Sequence, residues 1–240
     1  MSGDGERAAF DEDWVRERAD GQNPLVQIRA LAEKMPLAAG MRVLDLGCGR
    51  AVTSIFLARE CGARVWAVDR DVSPDDNLDS IRKARLEDLV FPLRADAREL
   101  PFASGYFDAV IAVDSYSYFG TDDRFLPYLA GFVRKGGHIG VADIAFAREI
   151  AGADDAPPYL RPTFGKHWSF VHSIDWWKSA WERTGLVDVV AAEPLAESRK
   201  LLQDYVVDRA ATDRTDEIAR AVIEDGEGLL QLFRLVARKH

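Results

Sequence analysis

From Arg42 onward the chain alternates between short apolar runs and stretches of helical period. VLDL (43–46), RVWAVD (64–69), FPLRAD (91–96), FDAVIAV (107–113) and HIGVADI (138–144) read as buried strands. Between them, Ala51–Glu60 and a segment around Asp75–Ala84 read as helices, and a third helix carries Phe125, Leu129 and Phe132. Gly136-Gly137 predicts a turn into the fifth strand. Strands separated by helices, with no hairpin signal, predict an α/β fold with a parallel, doubly wound sheet. Right-handed crossovers then put helices on both faces. Upstream, Asp11–Asp20 predicts a short helix carrying Trp14 and Val15. Asn23-Pro24 opens another, with Leu25, Ile28, Leu31 and Met35 at helical spacing and Pro36 and Gly40 at its end. The first ten residues read as a frayed tail.

The rhythm breaks after Ile144. Residues 145–173 mix prolines, aromatics, charges and two histidines without a period, which predicts a lid or binding loop. A tryptophan-rich helix (173–185) and an apolar strand (186–192) follow. An amphipathic stretch (197–225) carries Leu201, Leu202, Tyr205 and Val206 on one face, and LLQLFRLVA (229–237) closes the chain as a strand. The expected organisation is a helical cap over 1–40 and a main domain over 41–240, with lid insertions at about 145–173 and 193–228.

Charge narrows the partners. In 240 residues, 31 basic side chains face 40 acidic ones, a formal charge of −9. That balance argues against nucleic acid, which wants a basic stripe, and against a polybasic membrane surface. No apolar run is long enough for a spanning helix, and the acidic N-terminus does not read as a signal peptide. Cys48 and Cys61 are too few for a disulfide framework and lack zinc spacing, so no metal is expected. The expectation is a cytoplasmic protein, monomer or homodimer, acting on a small molecule.

The strongest chemical signal is VLDLGCGRA (43–51), set directly after the first strand and before a helix. Gly47 and Gly49 allow a tight turn and let a ligand approach bare backbone, and amides there and at the following helix N-terminus offer donors to an anion or carboxylate. A dinucleotide fingerprint reads G-x-G-x-x-G. Here Asp45 precedes the first glycine, and Val52 stands where the third glycine would be. A carboxylate at that mouth repels a pyrophosphate and suits a cation. S-adenosylmethionine, with a sulfonium and an α-amino group, is such a ligand. Asp69 ends the second strand, placed for ribose hydroxyls, and Asp96 ends the third, placed for an adenine amino group.

With RADARELPF, FDAVIAVDSYSYFG and GGHIGVADI in the same order, the chain resembles the class I S-adenosylmethionine-dependent methyltransferases, most nearly the small bacterial enzymes acting on small molecules. The resemblance covers about 42–145 and, less closely, 173–192 and 229–237. It implies a Rossmann-like, seven-stranded sheet with an antiparallel last strand. Gly47 and Gly49 would back the methionine portion, Asp69 would hold the ribose, and Asp96 and the Ala97 amide the adenine. Asp114 would sit near the methionine end. Asp45, Cys48 and Arg70 complete the expected cofactor set, although the Cys48 side chain reads as packing. Ala51 departs from the glycine that the family places there.

Methyl transfer is an in-line displacement that needs alignment and exclusion of water more than a triad. A base matters where the nucleophile must lose a proton. Tyr116 and Tyr118, just past the fourth strand, and His167 and His172, in the irregular insertion, are the candidate catalytic residues. Trp177 and Trp181 share a helix face and read as packing. The favoured function is methyl transfer to a small organic acceptor through nitrogen or oxygen. The alternatives are a regulator that binds S-adenosylmethionine without turnover, and a nicotinamide-dependent oxidoreductase, which Asp45 and Val52 disfavour.

Overall fold

The computed structural model describes residues 10, 12–19, 21–211 and 216–240; the tail reading over residues 1–9 lies outside them. Strands β1 (Arg42–Leu46), β2 (Arg64–Asp69), β3 (Val90–Arg94), β4 (Phe107–Val113), β5 (Val133–Phe146), β6 (Val187–Pro194) and β7 (Leu230–Lys239) form one sheet. Its order is β3-β2-β1-β4-β5-β7-β6. The first five strands are parallel, and β7 runs antiparallel to both β5 and β6. The chain reverses its winding direction between β1 and β4, and an open sheet of this kind leaves its ligand crevice there, outside the carboxyl ends of the strands.

The helices form for local reasons. In α2 (Pro24–Ala32), Asn23 caps the Leu25 amide at 3.0 Å, Pro24 fills the first helical position, and Leu25, Ile28 and Leu31 are buried. The helix α3 (Val52–Cys61) stops at Gly62, whose φ of 67° gives a left-handed cap. In α4 (Pro74–Lys83), a Ser73 cap, first-turn Asp75 and Asp76, and last-turn Arg82 and Lys83 all match the helix dipole. These helices, with α1 (Glu12–Arg18), cover one sheet face around Ile28, Leu31, Ile55 and Val65. The other face buries α6 (Phe125–Phe132) and α7 (Ile174–Arg183), where Trp177 and Trp181 both point inward.

Two sequence expectations change in detail. Gly136-Gly137 falls inside β5 rather than before it: the strand starts at Val133, and its register with β4 breaks between Phe107↔Val133 and Ala109↔His138, where the pair sits with Gly136 at φ 74°. The insertion is no bare loop either. It holds a 3₁₀ turn (Arg161–Thr163) and a π turn (Phe164–Trp168). With α8 (Ser198–Ala211) and α9 (Glu217–Glu224) it builds a third core around Phe146, Leu160, Trp168, Leu202 and Leu232.

Candidate functional site

The β1–α3 turn is built from backbone bonds. Gly47 and Cys48 both donate to the Val68 carbonyl, Ala51 donates to Cys48, and Gly49 donates to Asp69 Oδ2 at 2.9 Å. These amides are therefore engaged within the protein, contrary to the expectation that they offer donors to a ligand. A phosphate would find few of the N–H groups that a phosphate-binding loop needs.

The two glycines serve different ends. A side chain on Gly47 would place Cβ 2.5 Å from Ser115 Cβ, so this glycine lets β1 and the β4 exit approach each other. Gly49, at φ 51°, has nothing within 4 Å of its Cβ direction. Open space above a left-handed glycine is where a ligand can lie against the backbone.

Acids stand at or near the ends of β1 to β4, and one of them, Asp69, is bonded to Gly49 itself. Asp45 is buried at the end of β1, accepting from Thr53 Oγ1 (2.6 Å) and Ser54 Oγ (2.5 Å) in the first turn of α3. Its Oδ1 has no partner. Burial pushes its carboxyl up to about 6 against those two hydroxyls. Asp69 accepts from the amides of Gly49, Asp71 and Val72, which fix its carboxylate at the β2 end. Asp96 accepts from the Arg98 amide at 2.9 Å and is only loosely paired with Arg70 (3.9 Å) and Arg98 (3.8 Å). Arg70 turns outward to Asp71, and Ala97 follows Asp96 at the same rim. The Cys48 thiol is buried, and burial and the nearby Asp45 and Asp69 push its pKa up, as packing rather than chemistry requires.

Asp114 leaves β4 at φ 50°, an unusual conformation for a side-chain-bearing residue and one that concentrates at functional sites. Its buried Oδ2 accepts from Gln27 Nε2 at 2.7 Å, and the Gln22 amide donates to the same carboxylate. Oδ1 of Asp114 and Oε1 of Gln27 lack partners. Burial, then the adjacent Asp143 carboxylate on β5, hold Asp114 well above the usual range. Asp143 is itself buried and raised, while accepting from the Ser117 and Ile144 amides.

The candidate catalytic residues separate. Tyr118 stands at the crevice, 60% exposed, its ring 4.8 Å from Phe170. Burial of its phenol and then the charges of Asp143, Asp114 and Asp216 push it up to about 12. Tyr116 does not reach the crevice: it is fully buried, edge-on to Trp177 and Trp181, with a hydroxyl lacking a hydrogen-bond partner. The short helix α5 (Ser117–Gly120) turns it beneath the sheet rather than over its end. His172 Nδ1 lies 2.7 Å from Glu149 Oε1, and its ring stacks on Trp176 at 3.7 Å. It thus ties the insertion to the start of α7. His167 sits half-buried in the π turn. Sequence reading missed Gln22, Gln27, Ser115 and Asp143. Only Asp143 had a signal, an acid inside an apolar strand as Asp45 is in VLDL.

An open α/β sheet, a glycine turn whose Gly47, Cys48, Gly49 and Ala51 amides are engaged within the protein, and carboxylates at successive strand ends make a crevice suited to a cationic ligand. Residues 43–137 match the family model described as a methyltransferase domain. The chain is 35% identical over 115 residues to methyltransferase GfsG of Streptomyces halstedii, covering 48% of this chain and 41% of that protein. It is 29% identical over 157 residues to 27-O-demethylrifamycin SV methyltransferase of Amycolatopsis mediterranei (strain S699), covering 65% and 57%. The chain thus spans about half the length of the curated relatives it matches. Its fold is that of geranyl diphosphate C-methyltransferase from Streptomyces coelicolor A3(2), solved with Mg2+, geranyl diphosphate and S-adenosyl-L-homocysteine. The TM-score is 0.72 at 20% identity, covering 91% of this chain and 78% of that one. Over residues 43–137 the chain is thus similar to methyltransferase domains, which supports the resemblance to the class I S-adenosylmethionine-dependent enzymes. Among the described residues, no helix is long and apolar enough to cross a membrane.

Proposed function

We propose that this protein transfers a methyl group from S-adenosylmethionine to a small organic acceptor, with a nitrogen or oxygen nucleophile favoured. The observation that carries the reading is the pair of buried, unpartnered Oδ1 atoms on Asp45, near the end of β1, and Asp114, just past β4, on a sheet whose glycine turn leaves open space over Gly49. Buried acceptors without donors, on carboxylates that burial has raised, fit a ligand bringing hydrogen-bond donors and positive charge. A pyrophosphate dinucleotide would instead bring its anionic diphosphate against these carboxylates. In this reading Asp69 holds the ribose, Asp96 and Ala97 the adenine, and Asp45 and Asp114 the cationic end, beside Gly47, Cys48 and Gly49. Arg70 lies at the rim.

When bound, S-adenosylmethionine supplies a methyl carbon already activated by the sulfonium. The protein's part is alignment. Asp114, pinned by Gln27 and the 21–22 backbone, fixes one side of the crevice, and Tyr118 with Phe170 walls the other. The phenol of Tyr118 stays protonated at neutral pH and can donate a hydrogen bond to an acceptor heteroatom. Tyr116 acts through packing. His172, oriented by Glu149, remains the candidate base of the insertion, and His167 has less to recommend it. The cap over 1–40 and the main domain over 41–240 with its two insertions complete the reading, as do a cytoplasmic location, a monomer or homodimer, and no nucleic-acid partner.

The test is calorimetric titration of S-adenosylmethionine and, separately, NADH into the protein and an Asp69→Ala variant. Micromolar binding of S-adenosylmethionine, weakened at least about 10-fold (~1.4 kcal/mol) in the variant, is expected. Binding of NADH alone would replace this reading with an oxidoreductase.

A further inference from the structure

A cavity of about 850 Å³ lies between α1, α2 and α8, away from the open space over Gly49. That is the upper part of the range that small-molecule sites occupy, about 300–1,000 Å³. Its inner end is formed by Gly21 and Arg209. A Cβ on Gly21 would lie 2.6 Å from Asp114 Oδ2, so one residue of backbone separates cavity from crevice. Arg209 also acts on the Asp114 carboxylate electrostatically and pairs with Asp216 at 3.2 Å, the acid that reaches Tyr118. Its outer end reaches Phe56 and Glu60 on α3. Glu60 lies eight residues beyond Val52 in that helix, about 12 Å along its axis. The cavity thus reaches from Gly21, which abuts Asp114, to Phe56 and Glu60 on α3.

The walls say what fits. Leu25, Val26, Leu201 and Leu232 give apolar surface on two sides. The lining charges balance, three arginines (Arg16, Arg29, Arg209) against Glu60, Asp204 and Asp208, and most are engaged: Arg16 bonds Asp208 at 2.9 Å from α1 to α8, Arg29 stacks over Phe56, and Arg209 and Asp204 pair with Asp216 and Lys200 outside the cavity. A purely hydrocarbon ligand would desolvate those pairs without return, and a small polar metabolite would leave the leucines against water.

We propose that this cavity is the chamber for the body of the methyl acceptor, and that the acceptor is a neutral, carbon-rich, hydroxylated small molecule whose reacting group points past Gly21 toward Asp114. The proposal rests on the methyltransferase reading above and extends it to the substrate. In the transfer, the acceptor heteroatom forms a bond to the methyl carbon as the carbon–sulfur bond breaks. The electron pair stays on sulfur, and the heteroatom's proton leaves to a carboxylate or to water.

Nile red, a neutral polycyclic dye, is the probe. The protein should bind it saturably, one per chain, with blue-shifted emission. Val26→Trp and Leu201→Trp, both at partly exposed positions, fill the chamber from opposite walls. Each should weaken the dye at least about 10-fold (~1.4 kcal/mol) while calorimetric S-adenosylmethionine affinity stays unchanged. Because dye and cofactor meet across Gly21, saturating S-adenosylmethionine should change dye affinity about 5-fold, reciprocally. If S-adenosylmethionine binds normally but the dye does not saturate, ignores both variants, or is indifferent to the cofactor, the chamber assignment falls alone. If S-adenosylmethionine does not bind at all, the function reading itself fails.

Discussion

Replacing Asp45 with asparagine separates what the crevice needs from what the fold prefers. Asp45 is buried, and its carboxyl rises from 3.8 to about 6 despite the two hydroxyls that donate to it. At 1.36 kcal/mol per pKa unit, a rise of about two units makes the ionised form about 3 kcal/mol less favourable in the folded protein than in the unfolded chain. The sign follows from proton uptake. Below the unfolded value both states are protonated and nothing is lost. As pH rises through 4 to 6 the unfolded chain ionises first, and stability falls until the folded group has ionised too. Asparagine copies the neutral acid, and its carbonyl oxygen can accept from both Thr53 and Ser54. Asp45→Asn should therefore be more stable than the native protein at pH 8 by about 3 kcal/mol. For a chain of this length that is a melting-point rise of about 6–12 °C. The gain should shrink to about 1 kcal/mol as pH falls to about 4.5, and vanish only below the unfolded value of 3.8. The same variant should bind S-adenosylmethionine at least about 10-fold more weakly, because the charge facing the cationic end is gone. Thermal unfolding from pH 4.5 to 8, with calorimetry at pH 7.5, reads both effects. A variant less stable than the native protein at pH 8, or one with unchanged affinity, would refute the argument.

Gly47→Ala and Gly49→Ala should fail in different ways. The first drives Cβ into Ser115 at positive φ and should cost about 2–4 kcal/mol by thermal unfolding; the second should cost only about 1–2 kcal/mol, yet abolish measurable S-adenosylmethionine binding in calorimetry. Tyr116→Phe removes a buried hydroxyl that has no hydrogen-bond partner, so unfolding should shift by less than about 1 kcal/mol and cofactor affinity should not move; a loss of binding would return Tyr116 to the crevice. Trp177→Ala opens the core beneath α7 and should cost about 3–5 kcal/mol in denaturant unfolding.

The sheet was legible because its signals are local. Apolar runs, helix caps such as Asn23 and Ser73, and the glycine turn each follow from neighbouring residues. The acids at the ends of β1 and β2 were legible for the same reason, since a strand end fixes where its last side chain stands. What stayed hidden depends on the third dimension. Tyr116 and Tyr118 are two residues apart, and only the turn into α5 decides that one enters the core and the other the crevice. Gln22 and Gln27 reach Asp114 across about ninety residues of chain, for which periodicity carries no signal. The Gly-Gly pair read as a turn before the fifth strand, yet the strand already begins at Val133, and the pair sits where its register with β4 breaks. The cavity beside α8 arises only where two sequence-distant helices face each other.

The most direct measurement of the central claim is a crystal structure of the protein grown with S-adenosylhomocysteine. The account predicts the ligand over Gly49, its ribose on Asp69, its adenine at Asp96 and its amino group between Asp45 and Asp114. Ligand lodged instead beneath α1 and α8, with the space over Gly49 filled by water alone, would contradict it.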